Sequence, residues 1–381
     1  VGDLDILVVS GDPGQVMDHL GSLLAVEETI ARGETKMSIR LKNSFQVDLR
    51  VVARESFGAA FQYFTGSQAH NVHLRGMARQ RGLKINEYGL FRIEGEEEVY
   101  IAGETEEDLY SALDLPVFEP ELREARREFE WAENNTLPEL LMATDVIGDL
   151  HMHTTDSDGK HSLEEMVAAA RQRGLQYIAI TDHSKRVTMA NGLDAGRLLE
   201  QWKQIDQFNE TLDDRFLVLK GIECDILEKG GMDLPDDVLA QADWVLAAIH
   251  YGQKQPRQQI TDRLLEAIAN PHVCCVAHPT GRLINRREPY EVDMAAVFQA
   301  AAEHGKMLEL NANPVRLDLD DIQCAAARSQ GIPIVINTDA HHVDGLGVMP
   351  HGILQARRAG LTREDVANTR SWPELRALVG V

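Results

Sequence analysis

The chain has 381 residues, 44% hydrophobic and 26% charged, which is room for two or three domains with ample apolar cores. No apolar run reaches the roughly 18–20 residues that span a bilayer, which excludes membrane-spanning helices and argues for no membrane partner. A formal net charge of −23 argues against a protein that coats nucleic acid generally, because phosphate binding relies on Lys and Arg.

The opening residues 1–5 carry neither an initiator Met nor a basic segment, and read as domain interior rather than as a signal peptide. Strands are expected over 6–9 and 45–52, and helices over 59–62 and 68–81, the second stopped by Gly82. The acidic run 94–98 reads as a solvated turn. Residues 1–100 hold 11 basic and 14 acidic side chains, leaving −20 for residues 101–381. The basic stretches 36–54 and 75–84 therefore permit local contact with DNA. Pro116 and Pro120 break any helix, and a charged helix is expected over 122–133. Residues 116–147 are read as a linker between a first domain, 1–115, and a second, 148–381.

After the linker, apolar runs at 177–180, 216–220, 244–249, 273–277, 307–310 and 332–336 alternate with helical stretches at 163–173, 195–210, 260–269, 295–303 and 322–330. This rhythm predicts an α/β fold with a closed barrel whose sites lie at the C-terminal strand ends, the alternative being an open doubly wound sheet. The four cysteines, Cys224, Cys274, Cys275 and Cys324, make no CxxC pair; they read as reduced, buried thiols and point to a cytoplasmic address.

The strand ends carry the chemistry. His151 and His153 stand two apart, so both imidazoles face one side of an extended segment. Asp158 follows, and then His183, Glu223, His250 and His278 each close a successive apolar run. Asp339 and His341 come last, again two apart. Nine N/O ligands at one end of successive strands point to divalent metal. Imidazole with carboxylate suits Zn, Mn, Fe or Ni, and the absence of Cys argues against a structural zinc. Nine are too many for one ion, so two or three metals are expected. Such ions lower the pKa of water towards ~7 and neutralise phosphoryl charge, so phosphate-ester hydrolysis needs no protein nucleophile. Arg282, Lys185 and Arg186 are candidate phosphate contacts, and Asp182 a candidate support beside a ligand. His304, His342 and His351 carry no pattern that favours ligation. In the first domain Asp3 and Asp5, two apart on one strand, with Asp48 on another, match the arrangement that holds two Mg²⁺ ions for nucleotidyl transfer.

At HMHTTDSDG, ITDHS, GIEC, AAIH, AHP and NTDAH, over residues 148–372, the chain resembles the polymerase-and-histidinol-phosphatase (PHP) phosphoesterases. The resemblance implies a distorted (β/α)7-type barrel with a trinuclear site of Mn or Zn, in which Glu223 and Asp339 are catalytic. His151, His153, Glu223 and Asp339 would hold one metal, Glu223 with His250 and His278 a second, and Asp158, His183 and His341 a third. VGDLDIL, FQVDLRVV and YFTGSQAHNVHLR resemble the palm and thumb of family X DNA polymerases. That implies a partial α+β polymerase unit over 1–115 with Mg at Asp3, Asp5 and Asp48 as its catalytic carboxylates. Tyr63, Phe64, Gly66, Asn71 and Arg75 would contact nucleotide or DNA. With PELRE at 120–124, the whole is similar to bacterial family X polymerases that carry a PHP domain. Their lyase-type domain, fingers and the palm segment before the first Asp motif have no counterpart in this sequence, so the nucleotidyltransferase site is expected to be incomplete and polymerisation weak. The expected function is a DNA repair enzyme acting mainly as a 3′–5′ exonuclease, with DNA (3′ ends, gapped or single-stranded) and deoxynucleotides as partners. A histidinol-phosphatase-like small-molecule phosphatase and a barrel serving only as structural support are the competing readings.

Overall fold

The computed structural model describes residues 2–213 and 215–379, and the chain divides after Leu137 into two compact units. Among the described residues no helix is long and apolar enough to cross a membrane.

In the first unit, β1 (Asp3–Val9), β2 (Val26–Arg32), β3 (Lys36–Leu41) and β4 (Gln46–Val52) form a sheet ordered β1-β4-β3-β2, with β1 and β4 parallel. Alternation in β4 turns Val47, Leu49 and Val51 into a core with Met17, Met37 and Ile39, and leaves Asp48 and Arg50 on the other face. A second sheet, β5 (Leu83–Asn86), β6 (Gly89–Glu94) and β7 (Glu97–Ala102), is antiparallel. The acidic run expected as a turn is one only at Gly95 and Glu96; Glu97 and Glu98 continue into β7, opposite Glu94 and Ile93.

The expected linker is a correction. Phe118 and Phe129 are buried with Leu74, Leu90, Leu109 and Tyr110, so the segment packs into the first unit up to Leu137. Arg123 is fully buried, its guanidinium donating to Glu106 at 2.5 and 3.1 Å and to the Phe118 carbonyl. Two aromatics and a buried ion pair cannot be left on a solvated tether. Of the helix expected over 122–133, only Glu128–Glu133 forms, after a single 3-10 turn at Pro120–Leu122.

The second unit is a barrel of seven parallel strands in chain order: β8 (Gly148–Asp149), β9 (Tyr177–Ile180), β10 (Leu217–Asp225), β11 (Trp244–Ala248), β12 (Cys275–Val276), β13 (Met307–Asn311) and β14 (Ile334–Asn337). Helices at Leu163–Gln172, Ala195–Asn209, Arg257–Ala269, Met294–Glu303 and Asp321–Ser329 return the chain between strands. Strand parity divides the apolar residues. Tyr177, Ala179, Leu219, Trp244, Leu246, Ala248, Cys275, Met307 and Val335 fill the interior, while Ile178, Ile180, Val245, Ala247, Leu308 and Ile336 pack outwards against the helices. Closure between β8 and β14 uses the bridge Met152–Ala340, hydrogen bonds from Thr338 to Asp149 and from the Leu150 N–H to Asn337, and the buried Asn368 amide, which donates to the Gly148 and Ile336 carbonyls at 2.7 Å each.

Candidate metal centre

The parity that builds the barrel also aims its polar groups. Counting two by two from Leu219 along β10 brings Glu223 and Asp225 inward, above the apolar layers, and counting from Met307 along β13 brings Glu309 and Asn311 inward. Glu223 therefore lies within β10, whereas His183, His250, His278 and Asp339 lie two or three residues beyond β9, β11, β12 and β14. His278 and Asp339 take positive φ, 28° and 54°, backbone that L-residues adopt only where the surroundings hold them in place.

All nine expected ligands meet at this mouth. Glu223 is the hub: its Oε1 lies 2.8 Å from His278 Nε2 and 3.3 Å from His250 Nε2. Its Oε2 lies 2.8 Å from His183 Nδ1, 3.4 Å from His151 Nε2 and 3.7 Å from His153 Nε2. Asp339 Oδ1 is 3.2 Å from His153 Nε2 and 3.6 Å from His151 Nε2. Asp158 Oδ1 is 3.4 Å from His341 Nε2 and 3.6 Å from His183 Nε2. Three sets have donor atoms mutually within 4.8 Å: His151, His153 and Asp339; His183, Glu223 and His250; and His153, Asp158, His183 and His341. His153 and His183 each belong to two sets, which differs from the partition the resemblance implies.

Several of these atoms fit a cation better than each other. His151 Nε2, both nitrogens of His153, His183 Nδ1 and Glu223 Oε2 are buried and make no hydrogen bond, an arrangement costly for polar groups unless another partner satisfies them. The charges show the same demand. Burial alone would raise the Glu223 carboxyl, but the facing His250, His151 and His183 hold it well below the usual carboxylate range. Asp339 is held low against burial by His151, His153 and Arg316. Against the opposing effect of burial, Glu223 and Asp225 push His250 up to about 9. Burial, with His341 and His183 alongside, drives His153 down to about 3. Buried carboxylates and imidazoles crowded around unsatisfied polar atoms are the chemistry of a divalent-metal site.

Three further residues belong here that sequence patterns did not single out. Glu309, fully buried in β13, accepts from His151 Nδ1 at 2.6 Å and from the His278 backbone N–H at 2.6 Å, which turns His151 Nε2 towards Glu223. Asp225 does the same for His250, 3.0 Å from its Nδ1. These are the carboxylate–histidine pairs that orient metal ligands. Arg316 lines the cleft, its Nε 3.3 Å from Asp339 Oδ2 and its Nη1 buried without a partner. Only the parity of 307–311 held a sign of Glu309; Arg316 had none beyond its place after an expected strand.

The expected phosphate contacts fare differently. Arg282 donates to the Arg316 carbonyl at 2.8 Å and to the Leu317 carbonyl, and so braces the loop that carries Arg316. Arg186 bonds Glu228 and stacks 4.1 Å over the Tyr251 ring. Lys185 is exposed. None of the three lines the cleft. Asp182 accepts from Thr154, Ser157 and Gln201, pinning the loop that leads to Asp158. His342 Nδ1 accepts the Gly345 N–H at 3.1 Å as a helix cap, while His304 and His351 are exposed.

In the first unit Asp5 lies directly opposite Asp48 in the β1–β4 register, with Asp3 two residues before Asp5 on the same face. Asp48 is held low by hydrogen bonds from Ser38 and Gln46, whereas partial burial and the neighbouring Asp3 and Asp48 raise Asp5. Among the described residues the tight metal-grade sets all lie in the barrel. Tyr63 and Phe64 end the helix Phe57–Tyr63; Arg75 lies 5.7 Å over the Tyr63 ring and Arg50 4.5 Å over the Phe64 ring. Gly66, at φ 96°, is needed because a Cβ there would stand 2.5 Å from Arg123 Cβ. The Asn71 amide donates to the Tyr63 carbonyl and accepts from Gln62, both at 2.8 Å, so most of its capacity is used inside the unit.

Residues 60–124 match the family model described as DNA polymerase beta thumb, and residues 149–313 the model described as PHP domain. The protein from Bacillus subtilis (strain 168) described as DNA polymerase/3′-5′ exonuclease PolX is 42% identical over 382 residues, covering 100% of this chain and 66% of that relative. The chain thus spans just under two thirds of the relative's length. Probable phosphatase Teth514_1060 from Thermoanaerobacter sp. (strain X514) is 30% identical over 236 residues, covering 59% of this chain and 91% of that protein.

Proposed function

Because the chain belongs to the bacterial PolX family, with a polymerase-beta-type thumb and a PHP domain, we propose that it is a DNA repair enzyme whose barrel acts as a metal-dependent 3′–5′ exonuclease. The observation that carries this reading is the convergence of nine metal-type side chains, with Glu223 as their hub, at one barrel mouth. The proposed cofactors are two or three divalent ions, Mn or Zn. His151, His153 and Asp339 would hold one, Glu223 with His250 and His278 or His183 a second, and Asp158, His183 and His341 a third. When bound, such ions supply Lewis acidity and an activated water.

The chain's own residues do the rest. Glu309 and Asp225 fix which nitrogen His151 and His250 present. Arg316, a cation on the cleft wall, balances charge on the phosphoryl oxygens, in place of Arg282 or Arg186. The substrates are DNA 3′ ends, gapped or single-stranded. Asp3, Asp5 and Asp48 are the proposed Mg²⁺ ligands of a nucleotidyl-transfer site, with Tyr63, Phe64, Gly66, Asn71 and Arg75 towards nucleotide or DNA. All four cysteines are buried and free, which supports a cytoplasmic address.

A nuclease assay with Mn²⁺ on 3′-recessed and single-stranded DNA, beside a simple phosphomonoester, tests the reading. His151→Ala and Asp339→Ala should each lower DNA cleavage by more than about 100-fold. Unchanged cleavage in both variants would remove the assignment, and turnover of the phosphomonoester alone would favour a small-molecule phosphatase.

A further inference from the structure

One wall of the metal cleft has no part in phosphate chemistry. Histidines, carboxylates and Arg316 line the rest, but Val187, Met189 and Ala190 close one side. Met189 is 92% exposed, the highest value among the exposed large hydrophobic side chains of the described residues. Single exposed apolar side chains are ordinary; this one differs in standing on an anchored turn at the lip of a reactive site.

The anchoring comes from the loop itself. Val187 and Ala190 are buried beneath Met189, in a 3-10 turn closed by Ala190 N–H to the Val187 carbonyl at 3.0 Å. Asn191 adopts the left-handed conformation and donates to the Asp156 carbonyl at 3.0 Å. Arg197 donates to the carbonyls of Asn191, Gly192 and Asp156 at 2.9, 3.1 and 2.7 Å. Leu193 N–H then donates to the carbonyl of His183 at 2.7 Å. The backbone of the turn is therefore fastened to that of one of the site's own histidines.

We propose that this turn is a nucleobase platform: with the phosphate at the histidine–carboxylate cluster, the terminal base of the strand lies against the Met189 thioether. This rests on the DNA reading above. The cleft, about 340 Å³, is at the small end for a ligand pocket, so sugar and base must lie at its mouth, where Met189 stands. A polarizable, unbranched side chain packs well on an aromatic face, and every base offers one, so the contact is indifferent to sequence. A platform of this kind separates nucleotide ends from phosphomonoesters that lack a planar group.

The test compares two oligonucleotides that differ only at the 3′ end, one with a normal nucleotide and one with a tetrahydrofuran abasic residue, cleaved by the full metal-loaded chain. The wild type should prefer the base-bearing end. In Met189→Ala that preference should fall by about 2- to 10-fold, whereas Met189→Leu, which keeps most of the apolar bulk, should retain most of it. An equal preference in wild type and Met189→Ala, or an equal loss on both ends, overturns the platform and leaves the exonuclease reading standing. Failure of the wild type to cleave either oligonucleotide while it hydrolyses p-nitrophenyl phosphate overturns both, and identifies the DNA reading as the part that failed.

Discussion

Glu223 can stay ionised in a fully buried position because five imidazoles surround it, and two of them, His151 and His250, point the right way because other carboxylates hold their far nitrogens. Glu309 is the clearest case, since its two oxygens serve His151 Nδ1 and the His278 backbone. Glu309→Gln keeps the shape but replaces a carboxylate by a weaker acceptor, so metal affinity should drop by about 10- to 100-fold. Titration of the apoprotein with Mn²⁺ measures this, and an unchanged Kd would make Glu309 a packing residue only. The nine expected ligands were legible as residues because His183, Glu223, His250 and His278 close apolar runs, and His151 with His153, and Asp339 with His341, stand two apart beside them. Glu309 was not, because one Glu inside such a run shows its direction only when the strand's neighbours are known.

Among the elements, the loop between β9 and the helix Ala195–Asn209 carries two tasks at once, placing His183 and presenting Met189. Gly192 is where it is tightest: a Cβ would stand 2.0 Å from the Ser184 carbonyl oxygen and 3.2 Å from that of His183. Gly192→Ala should therefore destabilise the barrel by roughly 1–3 kcal/mol and weaken metal binding by displacing His183, read by thermal melting and metal content. A variant that melts and loads like the wild type would mean the loop yields freely. Legibility among the elements followed burial. The barrel strands, covered on both faces, appear as continuous apolar runs and match expectation within a few residues. β2, nearly all exposed and reading VEETIAR, and the charged hairpin β6–β7 have no such run and escaped.

At the scale of the whole molecule, the second unit, residues 138–381, holds 36 acidic and 24 basic side chains, a net −12. The carboxylates Asp158, Glu223, Asp225, Glu309 and Asp339 crowd one barrel mouth, with Arg316 the single guanidinium on the cleft wall. Cations that bind the folded chain but not the unfolded one stabilise it by mass action, about 4 kcal/mol for one site at a thousand times its Kd. Chelation should then lower the melting temperature of the barrel by roughly 10 °C and abolish hydrolysis, and readdition of Mn²⁺ should restore both. A melting curve indifferent to chelator would argue that the histidines and carboxylates satisfy one another without metal.

The sequence by itself determined six of the seven barrel strands, the nine His, Asp and Glu positions expected as ligands and the spacing of Asp3 and Asp5 on one strand, because buried parallel strands and strand-end side chains are properties of local runs and spacings. Only the tertiary structure decided what stands behind and beside the ligands: Glu309 and Asp225 orienting histidines, Arg316 on the cleft wall rather than Arg282, and the supposed linker folded around Phe118 and Phe129. Those depend on which side chain faces which across strands and loops far apart in the chain, and no short-range pattern records it.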